Sequence, residues 1–497
     1  MTANDSEQKA RTHMPTPEQQ QLLRKLPQVE EALHHPAIEA LLNIFPRGIV
    51  VDQTREGIGD VRKQILSGLE AEVELDAVAT VILKRFVRLE KPSLRRVVNA
   101  SGVIVHTNLG RSPLADTAVA AVNDVARGYS TLEYNVRDMK RGSRHDHYES
   151  LICAITGAEA AIAVNNNAAA VMMVLREFAY GHETVISRGE LVEIGGSFRV
   201  PDIMETSGAI MVEVGTTNKT HPFDYERAIG DNTAMLLKVH PSNYRLTGFV
   251  EDVPVKELRA LADAANAHRS DAAPDVLVYE DLGSGALVDI QAAALRETTV
   301  SEAIAEGADL VSFSCDKLLG GPQAGIVVGT AQAIDRLKKN PLARVLRLDK
   351  LTIAALEATL RLYLDENDAR KRIPTLSMLS ASPEDVSVRA HVLADALRAK
   401  LSPDDATTSV ESEVSRAGGG ALPMCDIPTT VVSLDFARSS ALDCERYLVS
   451  EHEPPVVARI KNERLLLDAR TLLSDDEALE VAQGVASYFS RLDEKER

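Results

Sequence analysis

Between residues 160 and 329 the chain repeats one pattern: an apolar run too short for a helix, followed by a stretch with helical spacing. The runs fall at residues 160–164, 184–187, 209–214, 234–239, 276–279, 308–314 and 324–329. Runs that lack polar alternation are buried on both faces. Joined through helices, they build a mostly parallel, doubly covered α/β sheet. Ligands of such sheets sit in the crevice at the carboxyl ends of the strands. The polar residues that follow each run are therefore the candidates for chemistry.

Three of those ends converge on one requirement. Residues 308–314 deliver Ser312 and Ser314, then a single lysine, Lys317, onto a turn bearing Gly320 and Gly321. Desolvation lowers a lysine's pKa and makes its amine a usable nucleophile; the plainer alternative is a solvated lysine opening a helix. Residues 160–164 run into Asn165-Asn166-Asn167 and a helix that starts on the small side chains Ala168 and Ala169. Free amides and the helix dipole favour an anion there, although an asparagine cap by itself is ordinary. Residues 276–279 deliver Asp281 ahead of Gly283 and Gly285, as a functional carboxylate or a simple turn residue. An anion seat, a carboxylate and a lysine are what a pyridoxal 5′-phosphate site needs: a cradle for the phosphate, a partner for the pyridine N–H, and the amine that joins the aldehyde. Ser312 and Ser314 would add hydroxyl donors to the phosphate, with Ser314 nearer to Lys317. Upstream, a short strand and a Gly-bearing turn carry Arg111, ahead of a helix beginning near Pro113 whose first turn could hold an anion.

The rest of the chain bounds the setting. At 497 residues it should hold more than one domain. Four scattered cysteines include no CxxC pair, so neither a metal knuckle nor a disulfide scaffold is indicated, which fits a reducing cytoplasm. No apolar leader and no membrane-length run is visible, so no membrane partner is expected. A net charge of −18 argues against indiscriminate nucleic-acid binding. Residues 1–15 read as a disordered tail. Residues 16–88 read as a module of three or four helices, roughly neutral and rich in arginine and lysine, while the acid is carried elsewhere. Beyond residue 350, a helix over 356–372, another over 392–401, a loop at 402–409, strands at 429–434 and 464–468 and a closing helix over 477–492 suggest a smaller α+β domain.

Several long segments resemble the bacterial selenocysteine synthases. They are Asn99-Ala-Ser-Gly-Val-Ile-Val-His106-Thr-Asn-Leu-Gly110-Arg111-Ser-Pro-Leu, Ala163-Val-Asn-Asn-Asn-Ala-Ala-Ala-Val, Tyr279-Glu-Asp-Leu-Gly-Ser-Gly and Ser314-Cys-Asp-Lys-Leu-Leu-Gly-Gly-Pro-Gln-Ala-Gly. Asn340-Pro-Leu-Ala-Arg344-Val-Leu-Arg347-Leu-Asp-Lys350 belongs with them, and the likeness extends from Leu26 to Thr471. These L-seryl-tRNA(Sec) selenium transferases belong to the fold-type-I pyridoxal phosphate group. The resemblance implies a large α/β domain (89–350) with a mostly parallel seven-stranded sheet, a small α+β C-terminal domain (351–497) and an N-terminal helical module that docks tRNA. It implies that Lys317 binds the cofactor covalently, that Asp281 pairs with the pyridinium, and that Asn166, Asn167 and Ala168 hold the phosphate. Arg111, Arg344 and Arg347 would hold the anionic selenium donor, the last two on one face if their segment is helical. His240 and Asn243 would reach the cofactor's ring hydroxyl by analogy.

The implied reaction converts seryl-tRNA(Sec) to selenocysteinyl-tRNA(Sec) with selenophosphate, through loss of the β-hydroxyl, an aminoacrylyl intermediate and addition of selenium. A cytoplasmic homo-oligomer, a ring of dimers forming a decamer with shared sites, is implied as well. Where relatives often stack an aromatic ring on the cofactor, this chain has Glu190-Leu-Val-Glu-Ile-Gly-Gly. Gly418–Gly420, Arg459 and Arg470 are further candidates without an assigned role. The nearest rival on the same scaffold is a pyridoxal phosphate ammonia-lyase or eliminase for a small amino acid or amino sugar acid. Its relatives tend to lack the N-terminal module. A catalytically idle tRNA-binding scaffold would not need the Lys317/Asp281 pair.

Overall fold

The computed structural model describes residues 15–194, 198–241, 244–270, 272–292 and 295–496, so nearly all of the expected tail lies outside it. It divides into two compact units, Met1–Arg96 and Val97–Arg497.

Among its described residues the first unit holds five α-helices: α1 (Pro17–Lys25), α2 (Val29–Leu33), α3 (Pro36–Glu39), α4 (Arg47–Leu66) and α5 (Leu75–Glu90). Prolines cut the apolar periodicity into more pieces than the spacing suggests. A proline has no amide to continue a preceding helix but suits a first turn; Pro36 opens α3 and Pro46 precedes α4. The core gathers Ala32, Ile38, Val61, Ile65, Ile82 and Phe86. A Cβ on Gly57 would lie 2.6 Å from Ile82 Cγ1, so the crossing of α4 and α5 depends on that glycine.

The second unit is built on a seven-stranded sheet. Its strands are β1 (Ala160–Val164), β2 (Glu183–Ser187), β3 (Ile210–Val214), β4 (Thr233–Val239), β5 (Leu277–Gly283), β6 (Leu310–Ser314) and β7 (Gly325–Gly329). The spatial order is β1-β7-β6-β5-β4-β2-β3. Only β7 runs antiparallel to its neighbours. Successive side chains leave opposite faces of a strand. Leu236, Val278 and Val311 enter one core, and Met235, Leu237, Tyr279 and Leu310 the other. Burial on both faces is why these runs carry no alternation. Helix α6 (Asn167–Phe178) follows β1, and α7 (Pro341–Val345) and α8 (Lys350–Leu362) lead out of β7.

The small domain packs α9 (Pro383–Arg398) and α10 (Asp475–Glu496) on an antiparallel sheet of β8 (Ala406–Ser415), β9 (Ile427–Phe436), β10 (Arg459–Lys461) and β11 (Arg464–Asp468), ordered β8-β9-β11-β10. The expected loop at 402–409 is in part a strand. As an edge strand with a half-exposed face, β8 tolerates the polar residues that concealed it. The single helix expected over 356–372 breaks after Leu362, because the Asp365 carboxylate caps a new helix by accepting from the Asn367 amide at 2.8 Å. Arg470, fully buried, donates to the carbonyls of Met378 (2.6 Å), Ala381 (3.1 Å) and Pro428 (2.6 Å). Arg459 reaches Val414 O and the Asp468 carboxylate. Both arginines fasten the small domain. No helix among the described residues is long and apolar enough to cross a membrane.

Arg470→Met should leave those three carbonyls without their donor and lower stability by about 2–4 kcal/mol, read as a drop in the denaturant midpoint; an unchanged midpoint would show that water replaces the guanidinium.

Candidate active site

Strand register brings the chemistry together. β5 and β6 pair with Asp281 opposite Ser312. The Asp281 carboxylate is 5% exposed, and its Oδ1 accepts from Asn167 Nδ2 at 2.7 Å and, more loosely, from Ser312 Oγ at 3.5 Å. Asn167 is the first residue of α6, so the start of the helix is tied directly to the carboxylate. Asn166 caps the same helix, its side-chain oxygen accepting from the Ala169 amide at 2.9 Å. The amides of Asn167 and Ala168 then have no acceptor within the helix and are available to an anion. β7 closes against this point because Gly325 has no side chain: a Cβ there would lie 2.2 Å from Asn166 O and 2.6 Å from Asn167 N.

Lys317 follows β6 in a turn clamped from several sides. Its carbonyl accepts from Ser112 Oγ at 2.6 Å and from the Gly320 amide at 3.0 Å, and the next amide, Leu318, donates to Ser284 O at 3.1 Å. The side chain is buried, and burial pushes its pKa down, assisted by Arg111. Asp281, Asp316 and Glu297 pull it back up without prevailing. Burial likewise pushes Asp281 up, against the Asn167 hydrogen bond and the charge of Lys317. Arg111, at a left-handed φ of 65°, pairs with the carboxylate of Asp316, the residue before the lysine.

Other expected residues lie differently. The Ser312 hydroxyl is 2.6 Å from Tyr279 OH and 3.5 Å from Asp281 Oδ1, so it lies beside the carboxylate. Ser314 is buried two residues further along the same face, at the end of β6. Arg344 lies in α7, but Arg347 lies beyond its end, bridged to Val164; the two share a cavity, not a helical face. That cavity, about 320 Å³, is also lined by Arg141, Arg144, Lys338 and Glu133. The Arg144 guanidinium, 2.6 Å away, leads in holding the Glu133 carboxyl below its usual range. Arg111 is not among its lining residues.

The His240 amide donates to Asp281 O at 2.9 Å. Burial, helped by Lys238, pushes its imidazole down to about 4, so the ring is neutral; its Nδ1 lies 3.9 Å from Glu297 Oε1. Asn243 lies outside the described residues. In the stretch without an aromatic, the buried Glu190 carboxylate meets Lys238 at 2.9 Å and accepts from the Val239 amide at 3.0 Å. Lys238 also pairs with Asp252 at 2.6 Å. A lysine inside the apolar run 234–239 was the available signal for this network. Glu297 had none. Leu422 and Pro423, just after the Gly418–Gly420 turn, line a second cavity of about 320 Å³ together with His240 and Glu297.

Comparison with known proteins adds two family matches. A family described as L-seryl-tRNA selenium transferase matches residues 97–473, and one described as selenocysteine synthase N terminal matches residues 23–62. The chain is 47% identical over 458 residues to the L-seryl-tRNA(Sec) selenium transferase of Geobacter metallireducens, covering 92% of this chain and 97% of that one. It is 45% identical to the enzyme of the same name from Alkaliphilus oremlandii, over 90% and 94% of the two chains. Among solved structures, D-glucosaminate-6-phosphate ammonia-lyase superposes with a TM-score of 0.55 at 20% identity, over 81% of this chain and 98% of that one, a likeness of fold.

Because burial lowers the pKa of Lys317, reductive alkylation of the cofactor-free protein with a small aldehyde should modify it at a pH where surface lysines are still protonated. Asp281 draws that pKa upward, so Asp281→Asn should move the half-point of Lys317 labelling to lower pH, followed by peptide mass spectrometry. A half-point that matches surface lysines would contradict the desolvation.

Proposed function

The chain belongs to the L-seryl-tRNA selenium transferase family, and from that premise we propose how its own residues carry the reaction. The protein is a transferase of selenocysteine synthesis that converts seryl-tRNA(Sec) to selenocysteinyl-tRNA(Sec), with pyridoxal 5′-phosphate as cofactor. The sheet edge suits that group. Two amides at the start of α6 and the Ser314 hydroxyl can take its phosphate, and Asp281 can take the pyridine N–H. Asn167 Oδ1 is buried with no hydrogen-bond partner among the described residues, which fits a site that still expects a donor. When bound, the cofactor supplies an electron sink for the carbanion formed at the seryl Cα.

Lys317 Nζ takes the Cα proton, a role favoured by an amine whose pKa is depressed. Asp281 keeps the pyridine nitrogen protonated, and Asn167 and Ser312 hold its carboxylate in place. Arg111, Arg344 and Arg347 bind the donor, selenophosphate, through charge-assisted hydrogen bonds. The observation that carries this reading is the Lys317–Asp281 pair, buried together and tied through Asn167 to an anion-binding helix start. The likeness to the ammonia-lyase is one of fold and does not extend to its substrate.

The assembly we infer is a homo-oligomer, a ring of dimers forming a decamer in the cytoplasm. Sharing of sites between partners would bring an Arg111 to the Arg344/Arg347 cavity, whose lining in one chain does not include it. Exposed Tyr129, Val136 and Met139 fit a face covered in the assembly. We divide the second unit into a cofactor-binding domain to residue 350 and a small domain over 351–497. The N-terminal module, residues 16–88, docks the tRNA. Arg55, Lys63 and Arg85 are held by Asp52, Asp60 and Glu56. Among the described residues this leaves Arg24, Lys25, Arg47, Arg62, Lys84 and Arg88 as the charges available to phosphates.

Seryl-tRNA(Sec) and selenophosphate incubated with the protein should yield esterified selenocysteine, and Lys317→Ala should yield none; unchanged seryl-tRNA(Sec) with the unmodified protein would refute the reading. Deleting residues 1–96 should weaken seryl-tRNA binding at least tenfold at low salt and flatten its salt dependence, as read by filter binding.

A further inference from the structure

β-Elimination from a seryl group needs two proton movements. Lys317 accounts for the proton leaving Cα. The hydroxyl is a poor leaving group at neutral pH and needs a proton as its bond to Cβ breaks. The carboxyl groups near Lys317 are few, and most are already engaged. Asp281 is held by Asn167 and Ser312. Asp316 is paired with Arg111. Glu280, pushed up to about 8 by burial, precedes Asp281 in β5 and so leaves the opposite face of the strand.

Glu297 is different. It is 2% exposed, borders the cavity shared by His240 and Leu422, and its charge is felt at Lys317. Its Oε1 and His240 Nδ1 are both buried, without a hydrogen-bond partner among the described residues, and 3.9 Å apart. The groups that face it are His240, Lys317, the Cys425 thiol, the Ser284 hydroxyl and the Leu422 amide. Burial leads in raising its pKa, against the Ser284 hydroxyl, the Leu422 amide and the charge of Lys317, while the neutral His240 adds no positive charge of its own.

We propose that Glu297, in its acid form, is the catalytic residue that protonates the departing seryl hydroxyl. This rests on the selenium-transferase reading and assigns that reaction a residue no motif marked. The Cβ–O bond breaks with its electron pair going to oxygen, the oxygen takes the Glu297 proton and leaves as water, and Glu297 remains as a carboxylate that water reprotonates. His240, neutral beside it, is a positioning residue that leaves the acid form undisturbed.

The test is Glu297→Gln, which keeps the shape and removes the proton. With seryl-tRNA(Sec) in D2O, exchange of the Cα hydrogen should stay within about threefold of the unmodified protein, while formation of selenocysteinyl-tRNA should fall by about 10²-fold or more. With β-chloroalanyl-tRNA(Sec), whose chloride leaves without a proton, E297Q should react within a few-fold of the unmodified protein. Glu297→Asp should recover part of the activity on the seryl substrate. In the cofactor-free protein at neutral pH, the protonated-carboxyl infrared band should lose intensity in E297Q. Equal slowing on both substrates would make Glu297 a merely structural residue. No slowing on either would assign the proton to the Lys317 ammonium, and an unchanged infrared band would show that Glu297 is ionised; each overturns the proposal. If the unmodified protein exchanges no Cα hydrogen of seryl-tRNA(Sec), the underlying reading fails first, and this inference falls with it.

Discussion

Lys317 and Asp281 are both buried, and burial works against the charge of each. Burial drives the amine towards its free base and the carboxyl towards its acid, while each one's charge drives the other back. Such a balance depends steeply on distance, so it survives only if the backbone cannot shift. Contacts from four separate segments provide that rigidity: Ser112 on the lysine carbonyl, Ser284 on the following amide, the His240 amide on the Asp281 carbonyl, and Asn167 on the carboxylate itself. The seven-stranded sheet, with a core on each face, can be understood as the frame that keeps these four segments in register.

How much of this could be read from the sequence follows from where each residue lies. Lys317, Asp281 and Asn166 stand at the ends of apolar runs, and the parallel arrangement of those runs was enough to put them at one edge. The partnership of Ser312 was hidden because it depends on which residue of β5 lies opposite, and period alone does not give cross-strand register. Arg347 was hidden for a similar reason: a bridge to Val164, far away in the chain, sets its position, and no helix does. Glu297 belongs to a segment without periodicity, where one carboxylate looks like any other. β8 and the five-way division of the N-terminal helices were missed for local reasons, an edge strand with polar residues and prolines that break a continuous apolar spacing. The activity came from long matching segments, since several chemistries share this sheet.

The acidity of the chain makes its concentrations of positive charge more informative. Arg141, Arg144, Arg344 and Arg347 line one cavity, and Glu133 is the acid that answers them there. Like charges held this close raise one another's energy until an anion enters. In a protein of net charge −18, such a site attracts anions against the overall field, so it selects for ligands that carry several charges at one point.

The reversed strand β7 fixes a spacing in the chain. It returns directly from the lysine turn and pairs with β6 and β1, with Gly325 opposite both Ser314 and Val164. A change of length between Lys317 and Gly325 that slipped β7 by one residue would turn every side chain of the strand to the other face. It would also drive a side chain into the first residues of α6. The spacing between the lysine and Gly325 is therefore a structural constraint as definite as the identity of either residue.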